Sequence, residues 1–455
     1  MTSITASRNH LVEIKRTLQL GAPVIVGMVA GFGMNFVDTL MAGRIDAIAL
    51  SAIAIGGAVW SIGLMFMIGC QMAVPAAVSQ LDGAGQQKEA AAVTRQALWI
   101  AVGLSVLFFI GLHSAGPFLE WLQINPEVTP VAIDYMQALS WGAPGICIAI
   151  TLRFFCEGSG NTKATLYMGV IGVLLNIPLN YILMFGKLGM PAMGAVGCGY
   201  ATSIVIWVQA LVLALYILKH SHFRPFGLFS SWDPVRWRVT GELLLVGLPI
   251  AGMLLMEGGM FIGASLLIGR LNEQLLAAHQ IAINFAALMF MIPLGLASAI
   301  TVRVGNAIGR KDFNGARTAG TIGLAVALGF QTLSAIIMLT VPALIVGLYT
   351  SDARVTVVAV ELLFFAAIFQ LSDGFQVCAA GGLRGLKDTR VPMIYSVIAY
   401  WAIGMVLGYY LTFTRGLGPK GMWIGMIAGL TVAAVLLGVR FWRSSSRLIA
   451  EPVKG

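Results

Sequence analysis

Charge is what this sequence lacks. Only 10% of its 455 residues are Asp, Glu, Lys or Arg, against about 25% in a soluble domain. With 58% hydrophobic residues and a mean hydropathy of +0.88, the chain cannot cover a water-facing surface with polar groups. A large polar segment is missing too. The longest spans about 219–241, which leaves no room for a soluble domain. Apolar and polar residues do not alternate over the apolar runs, which excludes a strand barrel. Cysteine is scarce. Cys70, Cys147, Cys156, Cys198 and Cys378 lie within or at the edges of apolar runs and form no CxxC pair, so they read as small packing residues. The HExxH, DDxxD, P-loop and nucleophile-elbow patterns are absent, which argues against an intramembrane enzyme and against a cofactor. His220 and His222 offer half a metal site at most and read as solvated loop residues.

What is present is a series of long apolar runs. A membrane-spanning helix needs roughly 20 mostly apolar residues. The runs predict twelve, at 17–42, 48–72, 96–118, 130–152, 164–186, 192–218, 242–268, 275–301, 318–347, 355–382, 392–414 and 422–441. The fold class is therefore an all-α polytopic membrane protein. The first sixteen residues are polar and basic, and the run after them is too long for a signal peptide. With an even number of spans, both termini share a side. That side carries 22 of the 28 Lys and Arg residues and the other side 6. By the positive-inside rule both termini are cytoplasmic. The net charge of +9 then reads as loop anchoring to an anionic leaflet, not as a nucleic-acid surface.

The chain repeats itself. At an offset of 226, Gly21 and Pro23 fall on Gly247 and Pro249, Gly33-Met34 on Gly259-Met260, and Gly43-Arg44 on Gly269-Arg270. At an offset of 227, Gly158 falls on Gly385 and Thr162-Lys163 on Thr389-Arg390. A parallel duplication follows, with an N-lobe at 1–218, a cytoplasmic linker at 219–241 and a C-lobe at 242–455, each lobe holding six spans. Transporters often have this architecture, and a passive channel is disfavoured by it. The halves differ where polar residues are buried: Asp38 falls on Ala264, Glu257 on Gly31 and Asn284 on Ala58.

Three acids sit well inside spans: Asp38, Glu257 and Asp373. A carboxylate there costs at least about 2.5–3.5 kcal/mol on insertion scales. No Lys or Arg is expected at comparable depth, so exchange of a mobile cation is the natural reason to keep them. Asn176 and Asn180 share a helix face one turn apart, with Pro178 favouring a bend between them. Gln370, Asp373 and Gln376 form a polar stripe on the tenth span, and Gln280 and Asn284 another on the eighth. His279, near the outer end of the eighth span, reads as a hydrogen-bonded interface residue. The 22 Met and 23 Phe residues would suit a deformable wall for apolar cations, although such residues more often face lipid or core.

Over nearly its whole length the sequence resembles the multidrug and toxic compound extrusion family, in its bacterial NorM-like branch. The resemblance rests on Pro23 with NFVDTLMAG at 35–43, CEGSGNTK at 156–163, LNIPLNYIL at 175–183, GMPAMGAVGCGYAT at 189–202 and LRGLKDTRVP at 383–392. It implies two six-helix lobes, a central cavity, and export of cationic drugs driven by inward proton or sodium flow, from a multi-pass monomer in the lipid bilayer of the bacterial inner membrane. It places Asp38, Asn176, Asn180, Tyr135 and Thr202 at an N-lobe polar site, and Glu257, Asn284 and Asp373 at a C-lobe cation site. Asp38, Asn176 and Asn180 are expected to share cation or proton coupling with Glu257, Asp373 and Asn284, while Tyr135, Thr202, Gln280, Gln370, Gln376 and Phe369 are assigned to the substrate cavity. Some relatives carry an aspartate at the position of Asn180 and a tyrosine at that of Phe369. The second difference removes a possible sodium ligand and favours the proton. The nearest rival is a lipid-linked oligosaccharide flippase of the same superfamily, but an acidic cavity suits cations rather than pyrophosphate.

Overall fold

A computed structural model describes residues 2–121 and 125–450, with side chains from Leu11 onward. The described residues form helices and the turns between them. In chain order these are α1 (Thr2–Ala42), α2 (Ala47–Gln71), α3 (Ala73–Gly83), α4 (Gln87–His113), α5 (Gly116–Trp121), α6 (Val128–Ser140), α7 (Ala143–Gly158), α8 (Lys163–Phe185) and α9 (Gly194–Lys219). After the loop come α10 (Trp237–Gly269), α11 (Glu273–Gly309), α12 (Phe313–Thr340), α13 (Pro342–Gly347), α14 (Ala353–Gly385), α15 (Arg390–Val397), α16 (Val406–Tyr409) and α17 (Pro419–Ala450). Eleven helices are long and apolar enough to cross a membrane, and twelve if the bent pair α6–α7 is one span.

That pair is where the expected fourth span, 130–152, differs from an unbroken helix. The chain bends by 47° between Ser140 and Ala143. The sequence there is Trp141-Gly142-Ala143-Pro144, and a proline fits the first turn of a new helix better than the interior of an old one. Elsewhere helices outrun the apolar stretches. The helix predicted to end at 72 continues through α3 to Gly83, and α14 continues past 382 to Gly385. The scarce acids outside the apolar runs are partly spent on starting helices. Asp46, Asp312 and Asp352 accept the amides of Ala49, Gly315 and Arg354 at 2.6, 2.8 and 2.8 Å, as good N-caps do.

By its contacts the chain divides into two units. One is Val26–Ala251; the other joins Met1–Ile25 to Gly252–Gly455. Helices α1 and α10 contribute to both. Within the first unit, Gly27 on α1 lies against Gly169 and Thr165 of α8. Within the second, Gly21 and Ile25 of α1 lie against Leu296 and Gly295 of α11, and Glu13 accepts the Arg303 Nε at 2.8 Å. Also in the second unit, α15 continues through π-helical turns at 398–405 and 410–414 on either side of α16. There Gly404 and Gly408 meet Gly425 of α17 with no room for a side chain, the small-residue contact that draws membrane helices together when burial from water gives no drive.

The polar loop at 219–241 is fastened to the first unit. Arg95 on α4 donates its Nε to Asp233 at 3.0 Å and its guanidinium to the Leu228 carbonyl at 3.2 Å. Gln96 donates to the Pro234 carbonyl at 2.9 Å and accepts the Arg236 amide at 2.6 Å. Phe223, Phe226 and Leu228 are buried beneath it. His222 binds back to the Ser159 carbonyl at 3.0 Å, and His220 accepts the His222 amide.

Candidate ion-coupling and ligand sites

In the first unit, one centre forms around Asp38. Its Oδ1 accepts the amide of Asn176 at 2.9 Å and that of Asn180 at 2.6 Å, and Asn180 also donates to Asn176 Oδ1 at 3.2 Å. The one-turn spacing of the asparagines, with Pro178 between them inside α8, is what aims both amides at one oxygen. Both asparagines are fully buried and Asp38 is 7% exposed. Tyr135 of α6 and Thr202 of α9 are buried in the same unit. Tyr135 lies within electrostatic reach of the carboxylate. The thiol of Cys198, read from sequence as apolar filler, touches Asp38 on one side and Thr202 on the other. All five N-lobe residues expected from the resemblance are thus in one buried region. Asn180 Oδ1 and Thr202 Oγ1 have no conventional hydrogen-bond partner among the described residues.

The second unit holds a different centre. Glu257 of α10 and Asp373 of α14 are buried and interact electrostatically. Tyr400, beyond the end of α15, is coupled to both acids, and Gln376 donates its amide to the Tyr400 hydroxyl. Glu257 Oε1, Asp373 Oδ1 and Gln376 Oε1 are all buried without a hydrogen-bond donor among the described residues. Buried acceptors without a donor are costly, and a proton or a cation is what would satisfy them.

The expectation that no basic residue shares this depth is corrected. Because α14 runs on to Gly385, Arg384 is inside the helix, 3% exposed, and its charge acts on Glu257. Asn284, expected as a ligand of the acid pair, is exposed, and its Oδ1 accepts the hydroxyl of Tyr349 at 3.3 Å. Burial pushes the Tyr349 phenol up, so it stays a neutral donor there. Gln370 is a core residue: it donates to the Ala286 carbonyl at 2.8 Å and accepts from Gln331 at 2.6 Å, which leaves it no group for a ligand. Phe369 is packed between Phe261 and Trp423. Gln280 is exposed and donates to Ser265 Oγ at 3.3 Å. Of the residues expected in the C-unit, Glu257, Asp373 and Gln376 come together, while Tyr400 and Arg384 are the members that sequence reasoning missed.

The family model for MatE matches this sequence twice, at residues 23–182 and 249–410. The chain belongs to the MatE family. Each match covers one copy of the duplication, and the acids of the two centres fall inside the matched segments. Members are membrane transporters, so this MatE chain is not an enzyme. It is 45% identical over 449 residues to the NorM protein of Xanthomonas campestris pv. campestris, described as a probable multidrug resistance protein, covering 99% of this chain and 98% of that one. It is 40% identical to the multidrug resistance protein PmpM of Pseudomonas aeruginosa, covering 96% and 93%. Among solved structures, a MATE protein in complex with MaD3S superposes with a TM-score of 0.88 at 22% identity, covering 96% of this chain and 97% of that one. The eukaryotic MATE transporter AtDTX14 superposes with a TM-score of 0.85 at 21% identity, covering 98% and 99%. These two share the fold.

Proposed function

We propose that this MatE transporter is a secondary active multidrug exporter of the bacterial inner membrane. Entry of a proton or a sodium ion drives the expulsion of organic cationic and amphiphilic drugs by alternating access, with the monomer as the working unit. The functional lobes are 1–218 and 242–455, with 219–241 between them. The reading is carried by the opposite hydrogen-bond states of the two acidic centres. Asp38 is held by two amide donors, those of Asn176 and Asn180, and serves as the N-lobe carboxylate of proton or cation coupling. Glu257, Asp373 and Gln376 present oxygens without donors, and an inorganic cation or a proton supplies what they lack. The multidrug names of the relatives at 45% and 40% identity support the substrate class.

Transport of a cationic dye in proteoliposomes, with proton and sodium gradients imposed separately, tests the reading. One gradient should accelerate transport severalfold; indifference to both overturns ion coupling. Orientation is tested with single added cysteines, for which the protein is suited because its five native thiols are buried. A label confined to the periplasm should reach Asn125→Cys and not Ser230→Cys. Labelling of the second in intact cells reverses the topology.

A further inference from the structure

The acid pair of the C-unit is covered, on the side where α10 ends, by two successive layers of side chains. Phe261 follows Glu257 by four residues on α10, and Phe369 precedes Asp373 by four on α14, so each ring lies one turn from a carboxylate on the same helix face. The two rings meet at 5.9 Å between centroids, and Phe369 meets Trp423 of α17 at 5.6 Å. Beyond this aromatic layer lies a polar one. Trp423 meets the ring of His279 at 5.7 Å, His279 Nε2 is 3.1 Å from Ser265 Oγ, and Gln280 donates to the same oxygen. Ser265 is in turn four residues beyond Phe261 on α10. The contacts therefore run in order from the buried acids to Gln280, which is exposed.

His279 and Trp423 are both fully buried, in a cluster otherwise made of Met260, Ala264, Ile268, Ala278 and similar apolar side chains. His279 Nδ1 and Trp423 Nε1 have no hydrogen-bond partner among the described residues. One water molecule between these two atoms would accept from the indole N–H and, in the tautomer that carries its proton on Nδ1, from the imidazole as well. His279 meets Ser265 from α10 and Trp423 from α17, and among the described residues it forms no ion pair.

We infer that Ser265 and His279 relay protons into the Glu257–Asp373 pocket, with Gln280 anchoring Ser265 at the mouth, the Trp423 N–H orienting the water on the inner side, and the Phe261–Phe369 rings closing the inner end. The inference rests on the reading that this pocket holds the coupling ion. A proton passed by Ser265 to Nε2 of His279 is matched by one released from Nδ1 to that water, which hands a proton to a carboxylate of the pair when the Phe261–Phe369 rings part; the imidazole is left neutral in its opposite tautomer, and a ring flip restores it. The route does not suit a sodium ion, which needs several oxygen ligands. Its side-chain oxygens are those of Ser265 and Gln280 alone. In the proposed orientation its mouth is periplasmic, where an inward-moving proton enters, and its whole length lies within the C-unit.

The test uses the full-length chain in proteoliposomes, with a pH-sensitive dye trapped inside and ethidium as the organic cation. Proton movement on ethidium addition is followed in time, and ethidium affinity is measured at equilibrium over a range of pH. His279→Leu removes the group that passes the proton on, so it should slow proton movement by at least about tenfold, and leave the equilibrium pH dependence of affinity unchanged. Trp423→Phe keeps the ring and removes the N–H, and should slow it similarly. Phe369→Ala should allow proton leak without ethidium. Wild-type rates in both His279→Leu and Trp423→Phe overturn the route, as does a shifted equilibrium dependence in either, which would mark a structural disturbance of the pocket. Asp373→Asn serves as the separate check on the pocket. If that variant keeps the full equilibrium dependence, the ion-site reading falls and the route with it; if it loses the dependence while the two route variants stay fast, the route alone falls.

Discussion

Asp38 and the Glu257–Asp373 pair occupy two halves of one duplicated scaffold, yet no carboxylate of either centre has a counterpart in the other half. Asp38 falls on Ala264, Glu257 on Gly31 and Asp373 on Ile146. The difference extends to how charge is compensated. In the first unit the compensation is dipolar, from two neutral amides at 2.9 and 2.6 Å. In the second it is ionic and incomplete, with Arg384 acting on Glu257 while three acceptor oxygens have no donor. The repeat partner of Arg384 is Glu157, which accepts the Thr165 hydroxyl at 2.7 Å and pairs with Arg153 at 3.4 Å. Duplication thus fixed the helices and left the buried charges free to diverge, even in sign. A carboxylate already held by donors and a pair whose oxygens have none differ in how readily each takes up and releases a cation.

The comparison predicts its largest effect at Asp38. Asp38→Asn keeps an oxygen for both asparagine amides, so the protein should reach the membrane folded, but without the titratable carboxylate drug efflux should fall to background. Drug resistance of cells, with transporter abundance measured on the same samples, checks this. Wild-type resistance at normal abundance would reduce Asp38 to a packing residue and erase the contrast between the centres.

Arg384 comes next, and its effect falls on stability. Removing one partner from a buried charge pair costs about 3–5 kcal/mol, because the other charge is left uncompensated. Arg384→Gln should therefore lower the thermal midpoint in detergent markedly. Adding Glu257→Gln should restore part of the loss, and the double-mutant cycle reads that coupling directly. Strict additivity of the two changes would mean that Arg384 does not serve the acid pair.

At Asp373 the expected change is in coupling. A cation in the C-unit centre and a cationic drug oppose each other electrostatically, and each must weaken the other by the same factor. Wild-type drug affinity should then rise with pH if the proton couples, or fall with sodium if sodium does, over a range of about 5–150-fold. Asp373→Asn should flatten most of that dependence while the drug still binds. A wild-type affinity flat in both variables, or a mutant that keeps the whole dependence, removes the ionic role of this centre.

Much of this was legible in the sequence, for reasons that also explain what was not. Long apolar runs announce spans because the bilayer leaves no alternative. Asn176 and Asn180 announced a common target because residues one turn apart share a face. Periodicity within one helix says nothing about which helix it meets, so Tyr400 was invisible, and Gln370 joined the cavity residues although its face turns to Gln331. Arg384 was hidden by its neighbours. LRGLKDTR reads as a basic loop, since hydropathy falls there well before the helix ends. The stripe of Gln280 and Asn284 was real, but Asn284 turns to Tyr349. The break at Trp141-Gly142-Ala143-Pro144 did leave a signal, in a glycine and a proline two residues apart, which the surrounding apolar run outweighed.

The smallest predicted effect concerns Cys198, and it separates two accounts of the Asp38 centre. The thiol touches both Asp38 and Thr202, so contact alone would make it a third member beside the asparagines. Chemistry ranks it lower. A thiol is a weak donor, while a neutral amide donating to a carboxylate is worth about 1.5–3 kcal/mol. Cys198 is also fully buried in a cluster with Ala195, Met184 and Tyr135, so Cys198→Ala removes one sulfur atom from a tight site and little else. Its cost in stability should be about 1 kcal/mol, and drug efflux should stay within about twofold of wild type. Asn180→Leu, which removes a donor at 2.6 Å, should lose most efflux at similar abundance. Measured side by side, the two variants divide the contacts of Asp38 into those that hold its charge and those that fill space around it. If Cys198→Ala matches Asn180→Leu, the thiol belongs to the polar machinery, and compensation in the first unit is not the work of the amides alone.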